Sequence, residues 1–336
     1  MTEFAAPPAA GLPADPLAYQ AAYAGAVLFD ESIRGRIWMR DRDRAALLHR
    51  LSTNQIERLS PGQGTLTVLT TPIGRIIDLL TVYALDEGLL IVTSPERGSA
   101  LASHLRKNIF FNDKVKLEDA TLSLGQLLLA GPQAPALLTA LELPGADLPA
   151  YGVVQTGWQD APLYVVRQRA FGATAFWLIA PPATLATLQP ALTTAGAQIL
   201  DPATAKVLRV EHGDPAYGHE LSTEYIPLET GLWDAVSFTK GCYVGQEIIA
   251  RMESRGRLAK RLCGLRLAQL PSLPEATPLA KLDAAGKEAG DLTSLALSPV
   301  HGPIGLAYVR TAYAEPGTHL LVAGISAEVV SLPFKR

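Results

Sequence analysis

One of the two cysteines in this 336-residue chain, Cys242, sits in Ser237-Phe238-Thr239-Lys240-Gly241-Cys242-Tyr243-Val244-Gly245-Gln246-Glu247. Glycines flank it, Lys240 precedes it by two residues, and Gln246 and Glu247 follow. Val244, Ile248, Ile249 and Met252 then recur at helical spacing and Gly256 supplies a stop, which predicts a helix from about Tyr243 to Ser254. Cys242 would stand at its N-terminal end, where unpaired N–H groups and the dipole favour a thiolate and Lys240 adds to the effect. Gly241 and Gly245 remove bulk, so a substrate atom could approach the sulfur. A free cysteine is ordinarily a small buried hydrophobe. The Lys-Gly and Gly-Gln-Glu flanks are poor core companions and argue for a reactive thiol. Cys263, by contrast, shares one strand face with Leu265 and Leu267 and reads as core.

The elements that must carry this loop read as a mixture. Short strands over Ala26–Met39 precede a helix capped by Asp41 or Asp43 and running through Asn54. Strands follow at Leu66–Thr70, Ile76–Leu85 and Leu89–Thr93. Ser94-Pro95 has helix-start chemistry. Further strands are expected at Val115–Asp119, Gln126–Ala130, Tyr151–Thr156, Leu163–Arg167 and Ala175–Ile179, with a short helix over Pro132–Leu141. No strict βαβ rhythm emerges, so the fold class is α+β. Asp201-Pro202 opens a helix to about Gly213 on which Glu211 shares the apolar face. A buried carboxylate is costly unless paired. Two readings stand: a salt bridge to a neighbouring arginine, or an acceptor for the N–H edge of a ligand.

Beyond Gly256 come Arg257, Lys260 and Arg261, then a Pro-rich loop at Leu270-Pro271-Ser272-Leu273-Pro274-Glu275, then short strands separated by turn residues. This is the pattern of a small antiparallel barrel. Three regions result: an Ala/Pro-rich disordered tail over 1–18, two α+β lobes over 19–256, and the barrel over 257–336.

Composition narrows the classes further. Hydrophobic content is 48%, charged content 18% and net charge −3, with a pI of about 6.1. No basic footprint for direct nucleic-acid binding exists. No apolar run spans a bilayer, and the N-terminus has neither a charged n-region nor an Arg-rich transit pattern. A cytoplasmic, reduced protein is expected. There is no P-loop, no Gly-x-Gly-x-x-Gly and no Cys-x-x-Cys. The scattered histidines give no zinc pattern, and one exposed thiol cannot hold an iron–sulfur cluster alone.

The stretch Lys240-Gly241-Cys242-Tyr243-Val244-Gly245-Gln246-Glu247 resembles the signature of the YgfZ family. Leu51-Ser52-Thr53-Asn54, Pro61-Gly62-Gln63, Pro72-Ile73-Gly74-Arg75 and Leu208-Arg209-Val210-Glu211-His212-Gly213 are similar to segments shared by that family and the glycine-cleavage T-protein. Asp291-Leu292-Thr293-Ser294, Ser298-Pro299 and Ile304-Gly305-Leu306-Ala307-Tyr308 resemble their C-terminal barrel. The resemblance implies a ring of domains around a folate pocket. It also implies tetrahydrofolate as cofactor, iron–sulfur client or assembly proteins as partners, and an indirect effect on tRNA modification.

The T-protein branch carries paired aspartates where this chain has only Asp78 followed by Leu79. It carries a pterin-binding glutamate where Trp177 stands here, and an arginine where Ala205 stands. These departures weigh against aminomethyl transfer, the alternative activity. A non-catalytic folate-responsive module is a further alternative. In a folate pocket Trp177 could stack on the pterin, Asp78 or Glu211 could accept its N–H edge, and Arg251 or Arg257 could hold the glutamate tail. For each of these residues a purely structural role is an equal reading. Cys242 with Lys240 would carry the chemistry, and Gly241, Tyr243, Gly245, Gln246 and Glu247 would organise the loop.

Overall fold

A computed structural model describes residues 14–273 and 278–335. In chain order the elements are α1 (Pro16–Ala24), β1 (Val27–Asp30), β2 (Arg34–Arg40), α2 (Arg44–Leu51), β3 (Gly64–Thr70), β4 (Ile76–Leu85), β5 (Gly88–Pro95), α3 (Gly98–Lys107), β6 (Lys116–Asp119) and β7 (Gly125–Ala130). There follow α4 (Ala134–Ala140), β8 (Val153–Trp158), β9 (Ala161–Ala170), β10 (Ala173–Ala180), α5 (Pro182–Thr194), β11 (Gln198–Ile199), α6 (Pro202–His212) and α7 (Gln246–Arg255). The last strands are β12 (Lys260–Leu267), β13 (Ala280–Ala284), β14 (Lys287–Ser298), β15 (Gly302–Arg310), β16 (His319–Val322) and β17 (Ile325–Val330).

The first lobe is a five-stranded antiparallel sheet, β3-β4-β5-β2-β6. Its outer face buries Leu47, Leu48 and Leu51 of α2 and Leu101 and Leu105 of α3 against Ile37, Leu80, Val82 and Ile91. The second lobe is a six-stranded sheet, β11-β1-β7-β10-β9-β8, with Leu137 and Leu138 of α4 and Leu188 and Leu192 of α5 against its outer face. The inner faces of both sheets share one core. Trp38, Tyr83, Leu90 and Val92 meet Leu128, Val166, Trp177 and Ile179, and the barrel adds Ile304 and Leu306. Strands β12 to β17 close into an antiparallel barrel, the α+β arrangement with a small C-terminal barrel that the sequence predicts.

Three local expectations need correction. The tail expected over 1–18 lies outside the described residues as far as residue 13, but Pro16–Ala24 is a helix. Asp15 caps it by accepting from the amides of Leu17 and Ala18. The Ser94-Pro95 helix start is absent, because Pro95 ends β5 and the helix begins at Gly98. Helix α2 stops at Leu51, and Asp43 precedes it without a side-chain cap. Asp201 does cap α6, accepting from Ala203 and Thr204. Of the predicted Pro-rich loop, residues 274 and 275 lie outside the described residues.

Candidate functional site

The loop around Cys242 is built by fastening it to the first lobe. The Lys240 ammonium donates to three backbone carbonyls, of His49 at 2.5 Å, Ser52 at 2.7 Å and Asn54 at 2.8 Å. These carbonyls close the C-terminal end of α2, where the dipole favours a cation. Only the protonated amine has three hydrogens to fill all three, although burial pulls the Lys240 pKa down to about 8. The Ser237 amide donates to the Thr53 carbonyl, and the Val244 amide to that of Arg50. The Thr70 hydroxyl donates to the Val244 carbonyl at 2.6 Å, and the Gln246 side chain accepts from the Tyr243 amide at 3.0 Å.

Gly245 has φ +84°, and a Cβ there would lie 2.6 Å from the Thr71 carbonyl oxygen and 2.9 Å from the Gly74 Cα. Two backbones touch at this point, so only glycine fits. Helix α7 therefore begins at Gln246 rather than at Tyr243. Cys242 lies a full turn before the helix, where the dipole contribution has fallen off. Between the two anchors, Gly241 and Cys242 are exposed, and Glu247 is exposed beyond them. Among the described residues no hydrogen bond reaches the Cys242 sulfur, and the donors of Lys240 go to carbonyls rather than to it.

A second polar group lies between the lobes. Glu31, just past β1, accepts from the Trp177 indole at 2.7 Å and from the Gln126 amide at 3.4 Å, and pairs with Arg34 at 3.0 Å. Arg34 lies 5.4 Å over the Trp177 ring, and the Tyr83 ring meets Trp177 edge-on at 6.4 Å. The Arg34 side chain keeps 28% of its surface in solvent. Asp78, fully buried on β4, accepts from the amides of Leu79 and Ser94. Burial pushes its carboxyl up to about 6, against the pull of Ser94 and of the Arg97 charge. Arg97 in turn stacks at 4.4 Å on Tyr217, which is partly exposed. The Nε atoms of Arg34 and Arg97 and the Oε1 of Gln126 are buried without a hydrogen-bond partner.

The expected folate residues divide accordingly. Asp78 and Trp177 join this interlobe cluster, but Trp177 is only 7% exposed, with Arg34 over its ring and Tyr83 edge-on to it, so it is packed as a core residue. Glu211 is elsewhere. Its carboxylate accepts from the hydroxyls of Tyr19 at 2.8 Å and of Tyr23 and Ser298 at 2.5 Å, tying α1, α6 and β14 together. The expected arginine partner is replaced by three hydroxyls, two of them from α1, a helix that the sequence did not announce. A groove of about 760 Å³ between α1 and the 297–300 turn lies over these hydroxyls and away from the cluster. Arg251 and Arg257 are exposed on and just beyond α7, and among the described residues neither forms an ion pair.

Sequence reasoning missed Glu31, Arg34, Arg97 and Gln126. Arg34 and Arg36 carried a usable signal: two arginines in the apolar run of a strand imply bound charges. Arg36 is indeed fully buried and donates to the backbone carbonyls of Ser32, Arg34 and Thr121. Among the described residues no helix is long and apolar enough to cross a membrane, and no three His, Cys, Asp or Glu side chains converge on a metal-sized site.

Residues 18–240 match the GCVT N-terminal domain family, and residues 260–335 match the glycine cleavage T-protein C-terminal barrel domain family. A chloroplastic protein of Arabidopsis thaliana named "Putative transferase At1g60990" is 34% identical over 92% of this chain and 71% of its own length. An aminomethyltransferase of Rubrobacter xylanophilus is 32% identical over 95% of this chain and 85% of its own. The crystal structure of glycine cleavage system aminomethyltransferase T from Bartonella henselae superposes with a TM-score of 0.84 over 95% of this chain and 89% of that one, at 23% identity, which speaks to the fold. Two lobes sharing an inner core, a closed six-stranded barrel and these matches along nearly the whole chain together make it a member of the glycine-cleavage T-protein family.

Proposed function

We propose that this chain is a YgfZ-like, tetrahydrofolate-binding member of the family that assists assembly or repair of iron–sulfur clusters in client enzymes through the Cys242 thiol. Its effect on tRNA modification would run through those clients. The observation that carries this reading is the loop of residues 237–247. Lys240, Gly245 and Gln246 each have a holding task, and the bare thiol they hold in solvent contributes nothing to the holding. A thiol with no packing role in such a mount is there to meet something else.

The interlobe cluster suits a folate ring. It has solvent access at Arg34, a buried carboxyl at Asp78, and buried polar atoms on Arg34, Arg97 and Gln126 that lack partners. Asp78, Arg97 and the Glu31–Arg34 pair would hold the ring, and bound tetrahydrofolate would supply a carrier for one-carbon units. Two unpaired cysteines fit a reducing compartment, which we take to be the cytoplasm.

Complementation tests the thiol. In cells lacking this protein, the wild-type chain restores iron–sulfur enzyme activity and Cys242→Ser does not; full restoration by the variant overturns the proposal. The second reading is aminomethyl transfer, favoured by the relatives named aminomethyltransferase. Against it, Leu79 and Trp177 stand where that chemistry needs carboxylates. Ammonia release from an aminomethyl carrier by purified protein with tetrahydrofolate would decide for the second reading.

A further inference from the structure

Deepening the role read for Cys242, and resting on it for function, we propose that the outer face of the first lobe beside the thiol loop docks an acidic protein partner. Residues 41–50 and 106–116 carry seven basic and three acidic side chains, a net of +4 in a chain whose total is −3. The fold sets the two segments side by side. The Asp43 carboxylate accepts from the Lys114 amide at 2.8 Å, and Arg50 donates to the Asn108 carbonyl at 3.2 Å. Asp43 pairs with Arg42 and Asp113 with Arg50. Arg106, Lys107, Lys114 and Lys116 are exposed, and among the described residues none of them forms an ion pair. Arg106 and Lys107 close α3, where the helix dipole favours cations. Lys114 and Lys116 have no such structural reason.

Between these cations a turn holds two phenylalanines toward water. Phe111 is fully exposed and Phe110 is 62% exposed. The turn is built rather than loose. Asp113 accepts from the Phe110 amide at 2.8 Å, and its own amide donates to the Phe110 carbonyl at 3.0 Å. Arg50 clasps the Asp113 carboxylate and lies 4.7 Å over the Phe110 ring, so one ring is covered by a cation and the other stands bare. The Arg50 carbonyl also receives the Val244 amide, one residue from the His49 carbonyl that receives Lys240. The bare ring, the cations and the Cys242 loop therefore meet around the end of α2. A carboxylate-rich surface with an apolar pocket is the complement: its charges steer the approach and the ring anchors it. A nucleic acid fits less well, because Asp41, Asp43 and Asp113 interleave with the cations and the rest of the chain is more acidic than the whole. A bilayer fits less well, because one bare ring is a weak anchor.

The test uses the full chain in cells that lack it, with the photocrosslinker benzoylphenylalanine at position 111. Irradiation should give an adduct to a protein that mass spectrometry identifies as net acidic. Lys107→Glu with Lys114→Glu should cut the adduct about tenfold, whereas Arg266→Glu with Lys287→Glu on the barrel should leave it unchanged. All four positions are exposed, so the variants keep the fold. Without the crosslinker, Phe111→Ser and the Lys107→Glu, Lys114→Glu pair should each lower the restored iron–sulfur enzyme activity about tenfold. An adduct to RNA, to lipid or to a second copy of this chain overturns the inference. So does an adduct that survives the charge reversal, or no protein adduct at all. Full restoration of activity by both surface variants overturns it too, and if Cys242→Ser still fails, the proposed function stands without it. If Cys242→Ser restores activity while the acidic adduct forms and obeys the charge reversal, the function falls and the docking surface stands.

Discussion

The loop of residues 237–247 and the interlobe cluster treat polar atoms in opposite ways. In the loop, the ammonium of Lys240, the amides of Tyr243 and Val244 and the hydroxyl of Thr70 all have partners, while the thiol of Cys242 stands exposed. In the cluster Glu31 and Arg34 are paired and Asp78 bonds two backbone amides, yet Arg34, Arg97 and Gln126 each keep a buried atom unmatched. The first arrangement holds an exposed thiol in a loop whose fastening groups are bonded. The second leaves hydrogen-bonding capacity unused, at a cost in stability. The two cysteines repeat the lesson on a smaller scale. Burial on β12 pushes Cys263 up to about 11 and packs it among barrel residues, whereas Cys242 stands in water.

Substitutions can break this contrast, beginning with the most damaging. Gly245→Ala combines a left-handed backbone with a clash against the Thr71 carbonyl, and should lower the unfolding free energy by about 4 kcal/mol in urea titrations. An effect below about 1 kcal/mol would mean the two backbones can part without consequence.

Asp78 comes next, and through pH. Its carboxyl holds a proton more tightly folded, with a pKa of about 6 against 3.8 for the free side chain. Its contribution to stability is therefore complete below about pH 4 and is lost as pH rises through 6. The shift corresponds to about 3 kcal/mol. Unfolding measured between pH 4 and 7 should show a downward slope that Asp78→Asn removes, and matching slopes would contradict the buried carboxyl.

Lys240→Met strips three carbonyls of their donor and should cost about 2 kcal/mol. It should also alter the alkylation rate of Cys242, since the loop is released. The smallest effect sharpens the contrast. Cys242→Ser should change stability by less than about 0.5 kcal/mol, because the sulfur packs against nothing the fold needs. In the native protein iodoacetamide should label Cys242 alone, with Cys263 reacting only after unfolding; early labelling of Cys263 would undo the comparison.

How far the sequence reaches depends on the range of the interactions. The barrel, most strands of both lobes and the cap at Asp201 follow from alternation and local turn chemistry and were legible, while the order of strands in the sheets was not. The motif around Cys242 stood out as a candidate site, but how the loop is held did not. Lys240 looked like a neighbour of the thiol because the two are close in sequence, while its true partners, His49, Ser52 and Asn54, lie far back in the chain. Glu211 was placed correctly on an apolar face, but its partners came from Tyr19 and Tyr23 of α1, a helix the sequence did not announce, and from Ser298. Glu31 and Arg34 form an ordinary pair three residues apart, and nothing local announces that Trp177 and Gln126 will join them.

The fastening of residues 234–245 also limits how the molecule can move. The chain leaves the first lobe after β6, builds the second lobe and α6, and then returns to be tied to the first at Thr53, Asn54, Thr70 and the end of α2. Such a belt resists a clamshell hinge between the lobes, because opening it would strip the ties one after another.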